Sequence, residues 1–198
     1  MMNGNRQTDA SSPKYSKERD DEVRLIHQAK QGDKRAISAL YQGHVDLVYR
    51  YVWARVQDEA VAEDLTAQVF LKALEALPSY EPSGKPFAAW LYRIAYARVV
   101  DHWRQRDRRV EVPLDEALPA RGPKPGEFVE AEGDWGQAID LLAGLTDDQQ
   151  DVMILRFIGE LSLAEVAETL GKTVGATKAI QHRALASLAR MLEAQGGA

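Results

Sequence analysis

The 198-residue sequence contains no cysteine, which excludes disulfides, thiolate zinc sites and direct thiol redox chemistry. It also has no apolar run near the length of a membrane span. Met1 to Asp20 is polar and lacks the apolar core of a secretory signal. A cytoplasmic protein without membrane insertion is therefore expected. Proline and glycine are sparse along most of the chain but gather in one place. Four prolines and three glycines fall among acids between Glu111 and Asp134, the composition of a flexible linker. Basic residues are scarce there too, Arg121 and Lys124 being the only ones between Glu111 and Asp148.

What remains is helical in pattern and unevenly charged. The formal net charge of −5 averages over two basic patches. One comprises Arg93, Arg98, Arg104, Arg106, Arg108 and Arg109 against Asp101 and Asp107, roughly +4 locally. The other comprises Lys172, Lys178, Arg183 and Arg190 with no intervening acid, again roughly +4. Two basic surfaces separated by an acidic stretch suit a protein that touches DNA in two places.

Composition and apolar spacing predict an all-α fold of two small helical domains joined by the linker. Residues 1–20 read as a disordered extension, 21–110 as the first domain, 111–134 as the linker and 135–194 as the second domain. Asp21 is the expected cap of the first helix, which Gly32 ends. Asp33 opens a helix whose stripe runs Ile37, Leu40, Tyr41, Val45, Val48, Val52 and Val56, interrupted by Gly43. Asp58 caps the next, with Val61, Leu65, Val69, Leu71, Leu74 and Leu77 as its core face. A loop from Pro78 to Pro86 leads into a helix from about Phe87 to Arg108 that packs through Phe87, Trp90, Leu91, Ile94 and Val99. In the second domain Trp135, Ile139, Leu142 and Leu145 begin a further helical pattern. Thr146 with Gln149 and Ser162 with Glu165 then form capping-box patterns.

Leu163 to Leu170, a turn containing Gly171, and a helix capped by Thr173 have the spacing of a helix-turn-helix, winged-helix-like but without a wing. Val166, Leu170, Ile180, Leu185 and Leu188 would fill its core. Thr173, Lys178 and Arg183 can reach phosphates, and Lys178 or Gln181 base edges. A plain three-helix bundle has the same spacing, but the absence of acids along the second helix favours DNA. Upstream, Tyr80, Phe87, Trp90, Tyr92, Tyr96 and Trp103 interleave with arginines, a pairing able to hold unstacked bases and phosphates. At helical spacing Phe87, Trp90, Leu91 and Ile94 read instead as core.

The blocks AEDLTAQVFLKALEALPSY (Ala62 to Tyr80) and FAAWLYRIAYARVVDHWRQRDRR (Phe87 to Arg109) resemble the first domain of extracytoplasmic-function sigma factors of bacterial RNA polymerase. The block LTDDQQDVMILRFIGELSLAEVAETLGKTVGATKAIQHRALASL (Leu145 to Leu188) resembles their second. The likeness runs from about Val23 to Leu192. It implies a subunit that directs core RNA polymerase to promoter DNA, binding the clamp of the largest subunit and the flap of the second-largest. By resemblance, Asp64, Leu65, Gln68, Val69 and Phe70 fall at the clamp contact. Tyr80, Ser83, Lys85, Tyr92, Tyr96, Arg98, Arg104 and Arg108 fall along the minus-ten element, the loop holding a flipped base. Thr173, Lys178, Gln181, His182 and Arg183 fall at the minus-thirty-five element. An anti-sigma factor sandwiched between the domains is a partner the family commonly has. Three positions depart from the family pattern: Gln68 replaces a common acid, Tyr96-Ala97 a common Arg-Asn, and Thr177 a usual Val.

Two other readings use parts of the same sequence. A stand-alone regulator would need only the helix-turn-helix and would leave the AEDL block without a task. A hydrolase built on Glu63, Asp64 and His102 would lack a nucleophile, a phosphate loop and metal-ligand spacing. No catalytic residue, metal site or cofactor is expected.

Overall fold

The structure, a computed structural model, describes residues 13–110 and 141–196. The expected linker, Trp135 and Ile139 lie outside the described residues. All regular elements among those residues are helices, as expected. In order they are α1 (Pro13–Lys30), α2 (Lys34–Val56), α3 (Glu59–Ala76), a 3-10 turn at Leu77–Ser79, α4 (Phe87–Val110), α5 (Asp147–Phe157), α6 (Leu163–Thr169) and α7 (Val174–Gly196).

Most helix ends follow from local chemistry. The Asp33 carboxylate accepts from the backbone N–H of Arg35 at 2.8 Å, and that of Asp58 accepts from Val61 at 3.0 Å. Ser162 and Glu165 complete a reciprocal capping box, the Ser162 N–H donating to the Glu165 carboxylate at 2.7 Å and the Glu165 N–H to Ser162 Oγ at 3.3 Å. At α5 the Thr146 N–H donates to Gln149 Oε1 at 3.2 Å. Gly32 and Gly171 end their helices with φ of 84° and 64°, a left-handed conformation that glycine adopts without a Cβ clash.

One boundary departs from expectation. α1 begins at Pro13, not at Asp21, so part of the extension expected to be disordered is helical. Pro13 suits a first helical turn, and the residues after it contain no helix breaker. Asp21 therefore lies inside the helix and pairs with Arg24 one turn on instead of capping.

Tertiary packing also redraws two apolar faces. In α3 the buried set is Ala62, Leu65, Thr66, Val69, Phe70 and Ala73, while Leu71 and Leu74 are exposed. The helix carries apolar residues around more of its circumference than α2 and α4 can cover. The small Ala62 and Ala73 mark the side where those helices approach. Tyr41 and Leu185, expected inside, are likewise exposed.

The larger difference is that the two groups of helices do not keep separate cores. α2 packs on α5 and α4 on α6. Val152, Ile154, Leu155, Leu161, Val166, Leu170 and Ile180 join one buried cluster with Tyr51, Val52, Leu91 and Tyr92. A smaller cluster of Leu145, Met153 and Ala184 closes the far side of α5 and α7.

Leu65 is 5% exposed and Leu71 61%. Leu65→Ala is thus expected to cost about 2–5 kcal/mol of unfolding free energy. Leu71→Ala should stay within about 0.5 kcal/mol. Urea denaturation of the two variants checks this, and a larger cost at Leu71 would refute the packing.

Candidate functional site

Three surfaces carry the residues singled out by the sequence, and a seam between the helix groups connects two of them. On α3, Asp64 and Gln68 are exposed one turn apart, and the Gln68 amide donates to the Asp64 carboxylate at 2.8 Å. Leu65, Val69 and Phe70 are buried, and the Phe70 ring meets Tyr41 edge-on at 4.8 Å. The polar pair therefore faces solvent, and the apolar three hold the helix that presents it.

The loop before α4 is held from below. Lys30 Nζ donates to the Tyr80 carbonyl at 2.7 Å and reaches the Glu81 carboxylate at 2.8 Å. The Tyr80 ring is not free to stack on a base from both faces. It lies tilted on Trp90 at 4.6 Å and edge-on to Phe87 at 5.4 Å, half-buried. Burial, then the nearby Glu22 carboxylate, raises the pKa of its hydroxyl. Ser83 and Lys85 are exposed beyond it.

Along α4 the side chains divide by face. Arg104 and Arg108 are exposed, and Arg98 is half-buried. Arg98 and Arg104 flank Asp101 at 3.8 Å and 4.0 Å. Arg106 lies over the Trp103 ring, 5.2 Å from its centre. Tyr92, by contrast, is 1% exposed, and its ring meets Tyr51 edge-on at 5.5 Å. Its hydroxyl has no hydrogen-bond partner, and burial pushes its pKa well up. Tyr96 is half-buried beside Asp151. In this arrangement the second helix group covers both tyrosines.

The helix-turn-helix is complete. The Lys172 N–H donates to the Ala167 carbonyl at 2.7 Å across the turn, and Thr173 Oγ1 accepts from the Ala176 N–H at 3.2 Å. Thr177 is fully buried and donates its hydroxyl back to the Thr173 carbonyl at 3.1 Å, so the helix interior holds no unpaired polar group there. Thr173, Lys178, His182 and Arg183 are exposed, and Gln181 is half-buried. These four exposed side chains with Gln181 can serve phosphates and base edges.

Sequence reasoning missed the seam. Arg55 and Asp151 have side chains only 6% and 7% exposed, and Arg55 Nε lies 2.8 Å from Asp151 Oδ1. The contact is an ion pair without an aligned hydrogen bond from Nε. The same guanidinium reaches Asp147 at 3.4 Å and donates to the Gln150 side chain, and the Tyr51 hydroxyl donates to Asp151 at 3.4 Å. Nearer the loop, Lys85 pairs with Glu168, and Arg93 stands 3.7 Å from the same carboxylate. Gly159 closes the seam. A Cβ there would lie 3.0 Å from the Tyr92 ring and 2.8 Å from the Leu155 carbonyl oxygen. The only trace of this in the sequence is an arginine set in an apolar stripe, which reads equally well as a solvated charge.

Among the described residues there is no group of three or more His, Asp or Glu side chains able to hold a metal ion, and no helix long and apolar enough to cross a membrane.

Known proteins match both halves. Residues 40–109 match the family described as Sigma-70 region 2, and residues 141–190 match Sigma-70, region 4. The chain is 38% identical over 172 residues to the ECF RNA polymerase sigma factor BldN of Streptomyces coelicolor, covering 86% of this chain and 65% of that protein. It is 33% identical over 192 residues to the ECF RNA polymerase sigma factor ShbA of Streptomyces griseus, covering 88% of this chain and 99% of that one. A solved structure of CnrH in complex with the cytosolic domain of CnrY is similar with a TM-score of 0.65 and 26% identity, over 88% of this chain and 97% of that chain.

Burial raises the Asp151 pKa from 3.8 to about 6, outweighing the opposing pull of Arg55. Between those values the folded chain binds more protons than the unfolded one, so this group's contribution turns against folding as pH rises through that window and is level above it. Relative to Asp151→Asn, the wild-type chain should lose up to about 3 kcal/mol of unfolding free energy between about pH 4 and pH 7. Urea unfolding of both chains across that range measures it. A difference that stays flat with pH would refute the assignment.

Proposed function

This chain belongs to the ECF RNA polymerase sigma factors, and from that premise we propose that it is a dissociable subunit that directs core RNA polymerase to particular promoters. The observation that carries this reading is the presence of both Sigma-70 regions, in order, on one chain. The first helix group, about 21–110, would grip core polymerase and open the minus-ten element. The second, about 135–194, would read the minus-thirty-five element. Residues 111–134 would let the two reach their separate sites.

The roles follow from what each surface offers. Asp64 and Gln68 on α3 would meet the clamp of the largest polymerase subunit, with Leu65, Val69 and Phe70 setting the helix beneath them. Lys85, Arg98, Arg104 and Arg108 would hold minus-ten phosphates, and the loop carrying Tyr80 and Ser83 would receive an unstacked base beside Tyr92 and Tyr96. Flipping that base costs a few kcal/mol of stacking, which the pocket offsets only when polymerase already holds the duplex. On α7, Thr173, Lys178 and Arg183 would anchor phosphates while Gln181 and His182 approach base edges. The second helix group would also meet the flap of the second-largest polymerase subunit. The protein does no covalent chemistry in this scheme and needs no cofactor or metal, since core polymerase makes the RNA. It would work in the cytoplasm, with an anti-sigma factor as a partner able to hold it back.

Run-off transcription with purified core polymerase tests the proposal. Specific transcripts should appear only when the chain is added, whereas a stand-alone regulator would shift promoter DNA without polymerase and start no transcript. Lys178→Ala with Arg183→Ala is expected to cut specific transcription by roughly tenfold or more. The same pair should lower the slope of log affinity against log salt by about 2. Asp64→Lys should weaken core binding in a competition assay without changing the unfolding midpoint.

A further inference from the structure

The loop from Tyr80 to Pro86 has little with which to secure itself. Residues 81–85 are exposed, Pro82 and Pro86 carry no N–H, and Gly84 turns the chain with a φ of 76°. Both ends are nevertheless fixed, and by the same helix. At the entry, Lys30 Nζ donates to the Tyr80 carbonyl at 2.7 Å and to the Glu81 carboxylate at 2.8 Å. At the exit, Glu22 Oε2 accepts the Phe87 N–H at 3.2 Å. That amide opens α4, so the helix itself offers it no acceptor, and the positive end of the helix favours a carboxylate there.

Lys30 and Glu22 stand about two turns apart on α1, and both side chains are mostly covered, 20% and 25% exposed. Charged hydrogen bonds sheltered to that degree are less screened than those at the open surface. Ile26 and Ala29, buried between them, seat α1 in the core. The other Glu22 oxygen lies 3.4 Å from His44 Nε2, and the His44 ring meets Phe87 edge-on at 5.3 Å. His44 Nδ1 faces the Leu40 carbonyl at 2.8 Å, which tethers that ring to α2.

α1 lies ahead of residues 40–109, the part that matches Sigma-70 region 2. We infer that Lys30 and Glu22 are positioning residues for promoter opening: α1 holds the loop by both ends in the shape that receives the unstacked minus-ten base. This rests on the sigma-factor reading and adds to it a helix that acts without touching DNA. Unstacking a base is costly, and a loop that must be ordered at the same moment adds its own entropy to that cost. A loop fixed beforehand leaves more of the contact energy for the base. Lys30 fixes the backbone that lays the Tyr80 ring on Trp90, and Glu22 fixes Phe87, the ring beside it. Loss of either anchor frees the segment between them.

A cycle between protein and DNA separates positioning from folding. Holoenzyme is assembled from core polymerase and the full chain, and its affinity is measured for fork-junction DNA made from a promoter that it transcribes. Abasic sites are placed singly along the non-template minus-ten strand, and the one that weakens the wild type most marks the captured base. Lys30→Met and Glu22→Leu should each weaken binding to the intact fork by about fivefold, and to that abasic fork by less than about twofold. Lys30→Arg keeps a cationic donor and Glu22→Gln keeps an acceptor for the Phe87 N–H, so both should recover most of the loss. Equal losses on intact and abasic forks, whether through misfolding or a general contact, would overturn the inference and leave the sigma-factor reading intact. A wild-type chain that yields no specific transcript would overturn that reading and the inference with it.

A second measurement needs neither DNA nor polymerase. In the free chain the Phe87 amide should exchange its hydrogen about tenfold faster in Glu22→Leu than in the wild type, and near the wild-type rate in Glu22→Gln. Equal exchange in all three chains would overturn the inference.

Discussion

Arg55 and Asp151 meet where the C-terminal part of α2 touches α5, and the packing of the two helix groups is organised around that contact. A buried charge without a counter-charge is costly, so neither residue tolerates the separation of the groups unless water takes the other's place. With the pair in register, Tyr51 can reach Asp151, Gln150 can accept from Arg55, and Tyr92 comes to lie against Gly159. The stabilisation itself is modest, because desolvation of Asp151 exceeds the attraction of Arg55. Direction comes from the charges, and adhesion from the aromatic and aliphatic surface around them.

The aromatic residues of the first group illustrate how one side chain serves two tasks. Tyr80, Phe87 and Trp90 form a wall of tilted and edge-on rings under the loop, with centroid separations of 4.6–5.4 Å. Such a wall stiffens the loop and leaves only its rim for a ligand. Tyr92 and Tyr96, further along α4, face the second group instead. Tyr92 is buried there and Tyr96 half-buried, so two aromatic rings of one helix are enclosed to different depths by the same neighbour.

Much of the fold was legible from local chemistry. Asp33, Asp58, Ser162 with Glu165, Thr173, Gly32 and Gly171 mark helix ends where the backbone has unsatisfied groups, and each does so in the structure. The helix-turn-helix followed from the same signals. Less legible were faces with more apolar residues than neighbours to cover them. Leu71 and Phe70 are adjacent and both apolar, yet only Phe70 is buried, because periodicity gives an arc and not the partner's position on it.

The helices, their caps, the basic patches and the two region signatures can be read from the amino-acid order, since these depend on residues within a few turns of one another or on composition. What covers α4 emerges from packing between distant helices. Arg55 and Asp151 are 96 positions apart, as are Arg55 and Gln150 within one, and no local rule distinguishes a carboxylate that meets solvent from one that meets an arginine across a seam. Burial, and with it the altered acidity of Asp151 and the enclosure of Tyr92, arises from where two helix faces come to rest.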